Sequence, residues 1–356
     1  MHPPPPPITD PASSRSVPLT ISVIIPVYNG GESFRQCLSS LGQSSHPPDE
    51  VIVVADGDTD GSGQMAAAWG AKVFRYKTAG GPARARNRGA SLATGDILFF
   101  VDADVTVGPD TLAQVEQAFQ HDATLAALIG SYDDQPGADN FLSQYKNLLH
   151  HYTHQVGREE ASTFWGACGA VRAEVFRAVG GFDERYRKPC VEDIELGYRL
   201  KAAGYSLRLC KHIQVKHLKC WQPLSLLRAE VLYRALPWTE LILDQRQPMN
   251  DLNLDRANRY SVVLSFALVG SLGLGVLFPP LWIVSLLAMV GLWAINWRVY
   301  HFFYQKRGWL FALRAVPWHW FYFLYGGGAF AYGLAAYRWR RLPLPQGSVL
   351  ALRRGD

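Results

Sequence analysis

Two aspartates separated by one residue follow an apolar run and form the strongest candidate metal site in the sequence. The run is Ile97–Val101, and the acids are Asp102 and Asp104. In extended backbone, residues i and i+2 point to the same side, so both carboxylates would face one point. Two close like charges repel unless a cation lies between them, and carboxylate oxygens suit Mn²⁺ or Mg²⁺. A bare pair of this kind is usually a solvated turn, but the apolar strand before it favours a divalent metal site.

Three further groups are candidates for chemistry near these acids. Asp56 follows a second apolar run and could accept hydrogen bonds from a base or ribose, although turn chemistry explains it equally well. Glu192 and Asp193 open a predicted helix, where capping is the commoner role of an acid. The functional alternative for this pair is a general base that takes a proton from an acceptor hydroxyl. His217 is a candidate third metal ligand, although a lone histidine is more often structural.

A cluster of arginines includes side chains that could reach a diphosphate. Arg84, Arg86 and Arg88 follow a Gly-Gly-Pro turn, with Asn87 among them. Residues at i, i+2 and i+4 do not share one helical face. We therefore expect some of these arginines to reach a ligand and at least one to be solvated.

Strands that alternate with helices predict an α/β fold with a mostly parallel sheet. Such βαβ units bind ligands at the carboxyl ends of their strands. Asn29, Asp56, Asp102 and Asp104 all fall at such ends. After these units the alternation becomes less regular. The predicted strands are 21–25, 51–54, 72–75, 97–101 and 206–210, and the predicted helices are 32–41, 64–69, 83–93, 110–121, 139–152 and 192–203.

Composition divides the chain into five parts. The Pro-rich leader lacks the apolar core of a signal peptide, so the domain after it is expected to stay in the cytosol. An abrupt loss of charge marks the start of a transmembrane region of two or three helices. The parts are the leader at 1–18, an α/β domain at 19–220, an amphipathic interfacial helix and linker at 221–255, the transmembrane region at 256–337 and a basic tail at 338–356.

The pattern of the apolar region predicts a helical hairpin followed by a third segment. Residues 260–297 are almost uncharged and are interrupted by Pro279 and Pro280, and residues 318–337 form the third segment. The basic residues between the hairpin and the third segment, and those of the tail, favour the cytosolic side for both stretches. Three crossings would put the tail outside, so the number of crossings stays open. In the amphipathic helix before it, Arg228 and Arg234 are expected on the polar face.

Charge and cysteine content exclude some classes of protein. The net charge of +5 over 356 residues suits anionic lipid or substrate but is too small to indicate nucleic-acid binding. The five cysteines form no C-x-x-C pair, which indicates free thiols in a reducing compartment.

Four motifs, in this order and spacing, resemble the family 2 glycosyltransferases of the GT-A fold. The resemblance covers about residues 20–235 and implies inversion at the anomeric carbon by direct displacement. The motifs are the opening strand at 22–29, a second block at 53–62, a third at 85–87 with 95–96 and 100–104, and an acceptor-side block at 180–184 with 191–193.

The resemblance implies a role for each candidate residue. Asp193 matches the catalytic base, and Asp56 matches the acid that contacts the nucleotide base. The third block implies that Asp102 and Asp104 contact the ribose and a divalent cation, Mn²⁺ or Mg²⁺. His217 stays a candidate third ligand from its position alone. The donor-binding candidates are Pro26, Tyr28, Asn29, Asp56, Arg86, Asn87, Asp102 and Asp104, and the acceptor-side candidates are Trp165, Gly166 and Glu192.

Departures from the family pattern narrow the expected activity. Ala55 stands where the family usually has an acid, and residues 220–250 lack the Q-x-x-R-W motif of processive synthases, so one or few sugars should be added. Val105, Thr106 and Val107 follow the aspartates where polyprenyl-phosphate sugar synthases usually have Gln and Pro. That synthase activity stays an alternative, as does a non-catalytic membrane subunit that binds nucleotide sugar.

The sequence therefore predicts a multi-pass enzyme of the inner or plasma membrane with its catalytic domain in the cytosol. Its donor would be a UDP- or GDP-linked sugar and its acceptor a lipid or lipid-linked molecule, with no nucleic acid involved. A nucleotidyltransferase is disfavoured, because the chain does not open with that class's glycine-rich nucleotide loop.

Overall fold

The computed structural model describes residues 18–245 and 255–341 and confirms the predicted α/β domain followed by apolar helices. The leader and most of the basic tail lie outside these residues. The elements, in chain order, are β1 (Ile21–Val27), α1 (Gly31–Gly42), β2 (Glu50–Asp56), α2 (Ser62–Trp69), β3 (Lys72–Tyr76), α3 (Pro82–Leu92), β4 (Ile97–Val101), β5 (Val105–Val107), α4 (Thr111–His121), β6 (Leu125–Tyr132), α5 (Phe141–Val156), β7 (Cys168–Arg172), α6 (Ala173–Ala178), α7 (Glu192–Ala202), β8 (Ser206–His217), α8 (Pro223–Arg228), a π-helical segment (Ala229–Ala235), α9 (Leu236–Gln245), α10 (Arg256–Leu274) and α11 (Leu281–Arg341).

One mixed sheet of eight strands organises the α/β domain, in the order β3-β2-β1-β4-β7-β6-β8-β5. Strands β1 to β4 are mutually parallel, and β7 runs antiparallel to β4. The central strands are almost fully buried, because apolar side chains cover both faces of the sheet. On β1, for example, Val23 and Ile25 join the core on one face and Ile24 joins the core on the other.

The strand register brings distant polar residues to one edge of the sheet. Val101 pairs with Cys168, so Asp102 emerges beside the segment that carries Trp165 and Gly166. Val105 pairs with His217 at the antiparallel contact of β5 with β8. The sheet therefore places His217 next to the loop that holds Asp104.

The sequence did not predict β5, β6 or β7, and the predicted β8 ended too early. Strand β6 contains two alanines and a glycine, which have low strand propensity. It is stabilised by pairing with β7 and β8 on either side. Strand β8 extends past residue 210 to His217 through an irregularity in its pairing with β6, which local periodicity does not reveal.

Two apolar helical regions follow the α/β domain. Helix α10 and the stretch Leu281–Trp339 of α11 are long and apolar enough to cross a membrane by length and composition. Pro279 and Pro280 separate them, as the predicted hairpin requires. The predicted third segment continues from the second within α11, and the backbone between them departs from helical geometry at Gly308, which has φ of 80°.

The predicted amphipathic helix is a continuous run of α8, the π-helical segment and α9. It packs against α7, where Trp238 Nε1 donates to Tyr198 Oη at 2.9 Å, and against α11. Arg234 departs in part from the expected polar outer face, because it lines two cavities while its side chain stays 38% exposed. A π-helical turn holds more residues than an α-turn, so side chains beyond it rotate away from the phase expected for an α-helix.

Candidate active site

Arg86 joins the donor-side and acceptor-side motifs in one buried ion-pair network. Its Nη2 donates to Asp102 Oδ1 at 2.7 Å and its Nη1 donates to Glu192 Oε1 at 2.8 Å. The side chain is only 4% exposed. Burial alone would lower the pKa of Arg86, but the carboxylates of Asp102 and Glu192 raise it, so the guanidinium stays charged. This cation therefore fixes the end of β4 against the start of α7.

Asp193 lies next to this network with a carboxyl suited to proton transfer. Its Oδ2 accepts a hydrogen bond from the Gly166 amide at 3.1 Å. Burial and the charge of Glu192 raise the pKa of Asp193 to about 6, against the opposing effects of Arg86 and the Gly166 N–H. A base whose pKa lies close to the working pH accepts and releases protons efficiently. Asp193 therefore has the properties of a general base at near-neutral pH.

Gly166 is required by the close approach of its backbone to Arg86. A Cβ at this position would lie 2.8 Å from Arg86 Cζ. The glycine therefore lets its amide reach Asp193 while the guanidinium occupies the space that a side chain would need. The neighbouring Trp165 covers this region and packs edge-on against Tyr132, with ring centroids 4.7 Å apart.

Asp104 and His217 lie together at the rim of the sheet. Asp104 Oδ2 is 3.7 Å from His217 Nε2 and 4.0 Å from Lys219 Nζ. Burial would raise the pKa of Asp104, but His217 and Lys219 outweigh it and lower this pKa to about 2. The His217 ring stacks on Tyr132 at 4.4 Å, which holds the imidazole beside the carboxylate. Asp104 is therefore ionised at any physiological pH.

The donor set of this rim suits a divalent cation. Asp102, Asp104 and His217 offer carboxylate oxygens and an imidazole nitrogen, which are ligands of Mn²⁺ and, for the oxygens, of Mg²⁺. Both aspartates are only about one-third exposed. Within residues 18–245 and 255–341, no three His, Cys, Asp or Glu side chains converge closely enough to form a preformed metal site. Asp102 instead pairs with Arg86, so an entering cation would have to share or displace that contact.

Asp56 organises the loop that leads into α3. Its carboxylate accepts the backbone N–H groups of Gly80 and Gly81, at distances from 2.7 to 3.0 Å, and Nη2 of Arg84 at 2.7 Å. Gly57 has φ of 78°, and a Cβ there would lie 2.5 Å from the Ala79 nitrogen. The local role of Asp56 is thus to hold the turn that directs α3, and with it Arg86, toward the site. Its contact with a nucleotide base stays a prediction.

Residues 22–180 match the model of glycosyl transferase family 2. A second match, to the N-terminal domain of galactosyltransferase, covers residues 147–220. Arg86, Asp102 and Asp104 therefore lie in the family 2 region, and Asp193 lies in the second.

The chain is also similar to named glycosyltransferases over parts of their length. The chain is 28% identical over 243 residues to validoxylamine A glucosyltransferase from Streptomyces hygroscopicus subsp. limoneus, covering 56% of this chain and 52% of the relative. It is 30% identical over 217 residues to pre-mycofactocin glycosyltransferase from Mycobacterium tuberculosis, covering 56% of this chain and 44% of the relative. The chain thus spans about half the length of these relatives.

A solved structure shares the fold over most of both chains. It is the mannosyltransferase PcManGT from Pyrobaculum calidifontis in complex with GDP-Man and Mn²⁺. It matches with a TM-score of 0.55 at 17% identity and covers 90% of this chain and 89% of that one.

Two asparagines expected to bind the donor in a family 2 site have local partners. Asn29, with φ of 52°, accepts the Thr59 N–H at 2.8 Å. Asn87 donates to the Phe182 carbonyl at 2.8 Å and to Glu184 Oε1 at 2.9 Å, and it accepts the Phe182 N–H at 2.8 Å. Asn87 thus fastens the loop before α7 to α3. Of the other donor-side candidates, Tyr28 is 61% exposed at the rim, and Pro26 pairs with Val54 inside the sheet.

A cavity beside Asp193, here called the inner cavity, contains residues that sequence reasoning missed. Helix α5 supplies one wall. Lys146, His150 and His154 recur every four residues on the face of α5 that lines it, a spacing that could have revealed them. Arg234 enters from the π-helical segment, and no local pattern marks it. The acceptor side also contributes to the lining of the inner cavity, through Thr163, Phe164, Trp165, Asp193 and Ile194.

A buried acid pairs with two of the cations that line the inner cavity. Glu230 lies 2.8 Å from Lys146 Nζ and 3.6 Å from Arg234 Nη1. Burial lowers the pKa of Lys146, while Glu230 acts in the opposite direction. Because the Lys146 pair is the closer one, Arg234 is the less tightly paired cation facing the cavity.

Proposed function

We propose that this chain is an inverting glycosyltransferase that transfers a sugar from a nucleotide diphosphate to a hydroxyl of a lipid or lipid-linked acceptor. The observation that carries the proposal is the Arg86 network, which places Asp193 beside the rim that holds Asp102 and Asp104. The family 2 match and the glycosyltransferase names of the relatives support the reaction class. A separate regulatory subunit would not need a carboxyl with a pKa near 6 at this position.

On the donor side, the nucleotide lies across the carboxyl ends of the first four strands. Asp102, Asp104 and His217 would hold the divalent cation, Mn²⁺ or Mg²⁺, and the cation would stabilise the negative charge of the departing diphosphate. The GDP-Man and Mn²⁺ complex of the fold relative supports a UDP- or GDP-linked donor. Arg86 holds Asp102 in place on the side away from solvent.

On the acceptor side, the acceptor hydroxyl lies in the inner cavity against Asp193. The carboxylate removes the hydroxyl proton as the oxygen attacks the anomeric carbon from the face opposite the diphosphate. The Gly166 amide donates to Oδ2 of Asp193 and the Ile194 amide donates to Oδ1, and together they orient the carboxylate. Trp165 excludes water from this region, which favours transfer over hydrolysis.

The apolar helices support a location of this chemistry at a membrane. We propose that α10 and α11 span the inner or plasma membrane, with the catalytic domain in the cytosol and the helix of α8 to α9 at its base. The mean hydropathies of 1.2 and 1.5 for the two regions support this arrangement. The position of Tyr322 of α11 in the lining of the inner cavity supports a lipid or lipid-linked acceptor.

A donor screen tests the proposal. Full-length protein in detergent is incubated with UDP- and GDP-linked sugars, Mn²⁺ and a membrane-lipid extract, and free nucleotide and glycosylated lipid are measured. We expect one donor to give lipid-dependent release of nucleotide diphosphate and chelation of the metal to abolish it. Binding of a nucleotide sugar without turnover across all donors would contradict the transferase assignment and favour the non-catalytic alternative.

A further inference from the structure

A second cavity, here called the outer groove, opens between α9 and the apolar helices. It encloses ≈ 470 Å³, a size in the range of roughly 300–1,000 Å³ that is typical of small-molecule sites. Its walls are largely apolar and come from α9, α10 and α11. Representative wall residues are Ile242, Val262, Phe323, Gly326 and Phe330.

The outer groove meets the inner cavity at three shared residues. Arg234, Trp238 and Tyr322 line both spaces. Trp238 is held by its hydrogen bond to Tyr198 of α7, the helix that also carries Asp193. A molecule that passes these three residues would therefore have one end among the apolar helices and the other end beside the proposed base.

The charges at this junction favour an anion. Two cations, Lys146 and Arg234, meet one acid, Glu230, at this junction, and Arg234 and Glu230 both line the outer groove. Glu230 is already within 2.8 Å of Lys146, while Arg234 lies 3.6 Å from it. An anionic group between the groove and the cavity would gain a charge-assisted contact with Arg234 without leaving an acid unpaired.

We propose that the outer groove binds the hydrocarbon chain of an anionic lipid acceptor, whose phosphate contacts Arg234 and whose polar end enters the inner cavity beside Asp193. The inference rests on the proposed function in one respect, that the polar end of the lipid is the sugar acceptor. The binding of the lipid itself does not require sugar transfer. The apolar walls select a chain and Arg234 selects a phosphate. A neutral lipid with the same chain should therefore bind more weakly.

Two glycines of α11 provide a matched pair of variants for the groove. Gly326 lines the outer groove, and a Cβ there would meet no atom within 4 Å, so Gly326→Phe would fill the groove without displacing backbone. Gly328 lies two residues further along the same helix, is equally open and is absent from the groove lining. Gly328→Phe therefore controls for the change from glycine to phenylalanine.

Native mass spectrometry of the full-length protein with hexadecyl phosphate tests the proposal. We expect one bound hexadecyl phosphate on the wild type and on Gly328→Phe, and binding at least about tenfold weaker on Gly326→Phe. Binding of nucleotide diphosphate with Mn²⁺ to each variant checks that the catalytic domain is folded. Equal hexadecyl phosphate affinity for Gly326→Phe and Gly328→Phe would overturn the assignment of the groove.

Two further comparisons test the chain and the charge separately. On the wild type, butyl phosphate should bind at least about tenfold more weakly than hexadecyl phosphate. Arg234→Gln should weaken hexadecyl phosphate and leave hexadecanol unchanged. If hexadecanol binds the wild type as tightly as hexadecyl phosphate, the groove holds bulk membrane lipid and the proposal fails. If lipid binds as expected while no donor is turned over, the proposed function fails and the binding site stands.

Discussion

Replacement of Asp193 by asparagine is expected to lower the rate of sugar transfer by roughly 10²–10⁴-fold, the usual contribution of a general base. Asparagine keeps the size of the side chain, but it cannot accept the acceptor proton, and its single oxygen can accept only one of the Gly166 and Ile194 amides that now donate to the two carboxylate oxygens. Because Asp193 does not contact Asp104, the affinity for nucleotide diphosphate with Mn²⁺ should stay within about twofold of the wild type. Transfer kinetics and calorimetric titration with the nucleotide measure the two effects.

The pH profile separates loss of a base from loss of structure. With a pKa of about 6, Asp193 is protonated below that pH and ionised above it. The kcat/KM of the wild type should therefore rise as the pH increases through about 6 and then level off, while Asp193→Asn should lack this rise. Glu174→Gln, at an exposed acid on α6, serves as a control and should reproduce the wild-type profile. Wild-type rates in Asp193→Asn would remove the base from the mechanism.

Replacement of Asp104 by asparagine is expected to weaken Mn²⁺-dependent donor binding by at least about tenfold and to lower transfer at least as much. The low pKa of Asp104 keeps its carboxylate ionised, and an amide is a much poorer ligand for a divalent cation. The measurement is donor affinity as a function of Mn²⁺ concentration, in which the variant should need more metal to reach half-saturation.

Asp110→Asn is the matched control for this metal effect. Asp110 is an exposed acid that precedes α4 and accepts a hydrogen bond from Ser45, so it lies outside the proposed donor site. It should leave the Mn²⁺ titration unchanged. A titration of Asp104→Asn that coincides with those of the wild type and Asp110→Asn would show that the cation is held elsewhere.

The first half of the sheet was predictable because its signals are local. Strands β1, β2 and β4 are short, mostly apolar runs, and the residues that follow these runs must lie at one edge of a parallel sheet. That rule alone brings Asp56, Asp102 and Asp104 near each other. The motif that carries Asp193 follows a less regular stretch, and its place was predicted from family resemblance.

The side-chain contacts of the site could not be predicted in the same way. Arg84, Arg86 and Arg88 look alike in sequence, but Arg84 pairs with Asp56, Arg86 with Asp102 and Glu192, and Arg88 lies over the Phe74 ring. Which partner each one finds depends on the direction of α3, set by a loop that Asp56 holds. Tertiary packing determines the partner of each arginine, and no periodicity in the sequence indicates it.

The departure at Ala55 also has a structural explanation. Ala55 is fully buried in the core on one face of β2, and its Cβ would lie 3.2 Å from a Cβ built on Gly63. An acid at this position would have to enter that packed space or force α2 away. Asp58 instead accepts the Gly63 N–H at 3.0 Å and pairs with Arg75.

The inner cavity depends on contacts between parts of the chain far apart in sequence. Lys146 of α5 and Glu230 of the π-helical segment meet only because α5 and the apolar helices pack together around Tyr145 and Phe303. The spacing of Lys146, His150 and His154 could indicate a shared face. It could not indicate that this face lies opposite Asp193.

The anomeric configuration of the product tests the central claim. That claim is that the acceptor hydroxyl, deprotonated by Asp193, displaces the diphosphate from the sugar in a single step. Once the donor screen has identified a sugar, proton NMR of the first-formed product gives its configuration. A single displacement assisted by Asp193 predicts inversion relative to the nucleotide sugar. A product that retains the configuration of the donor would contradict the account.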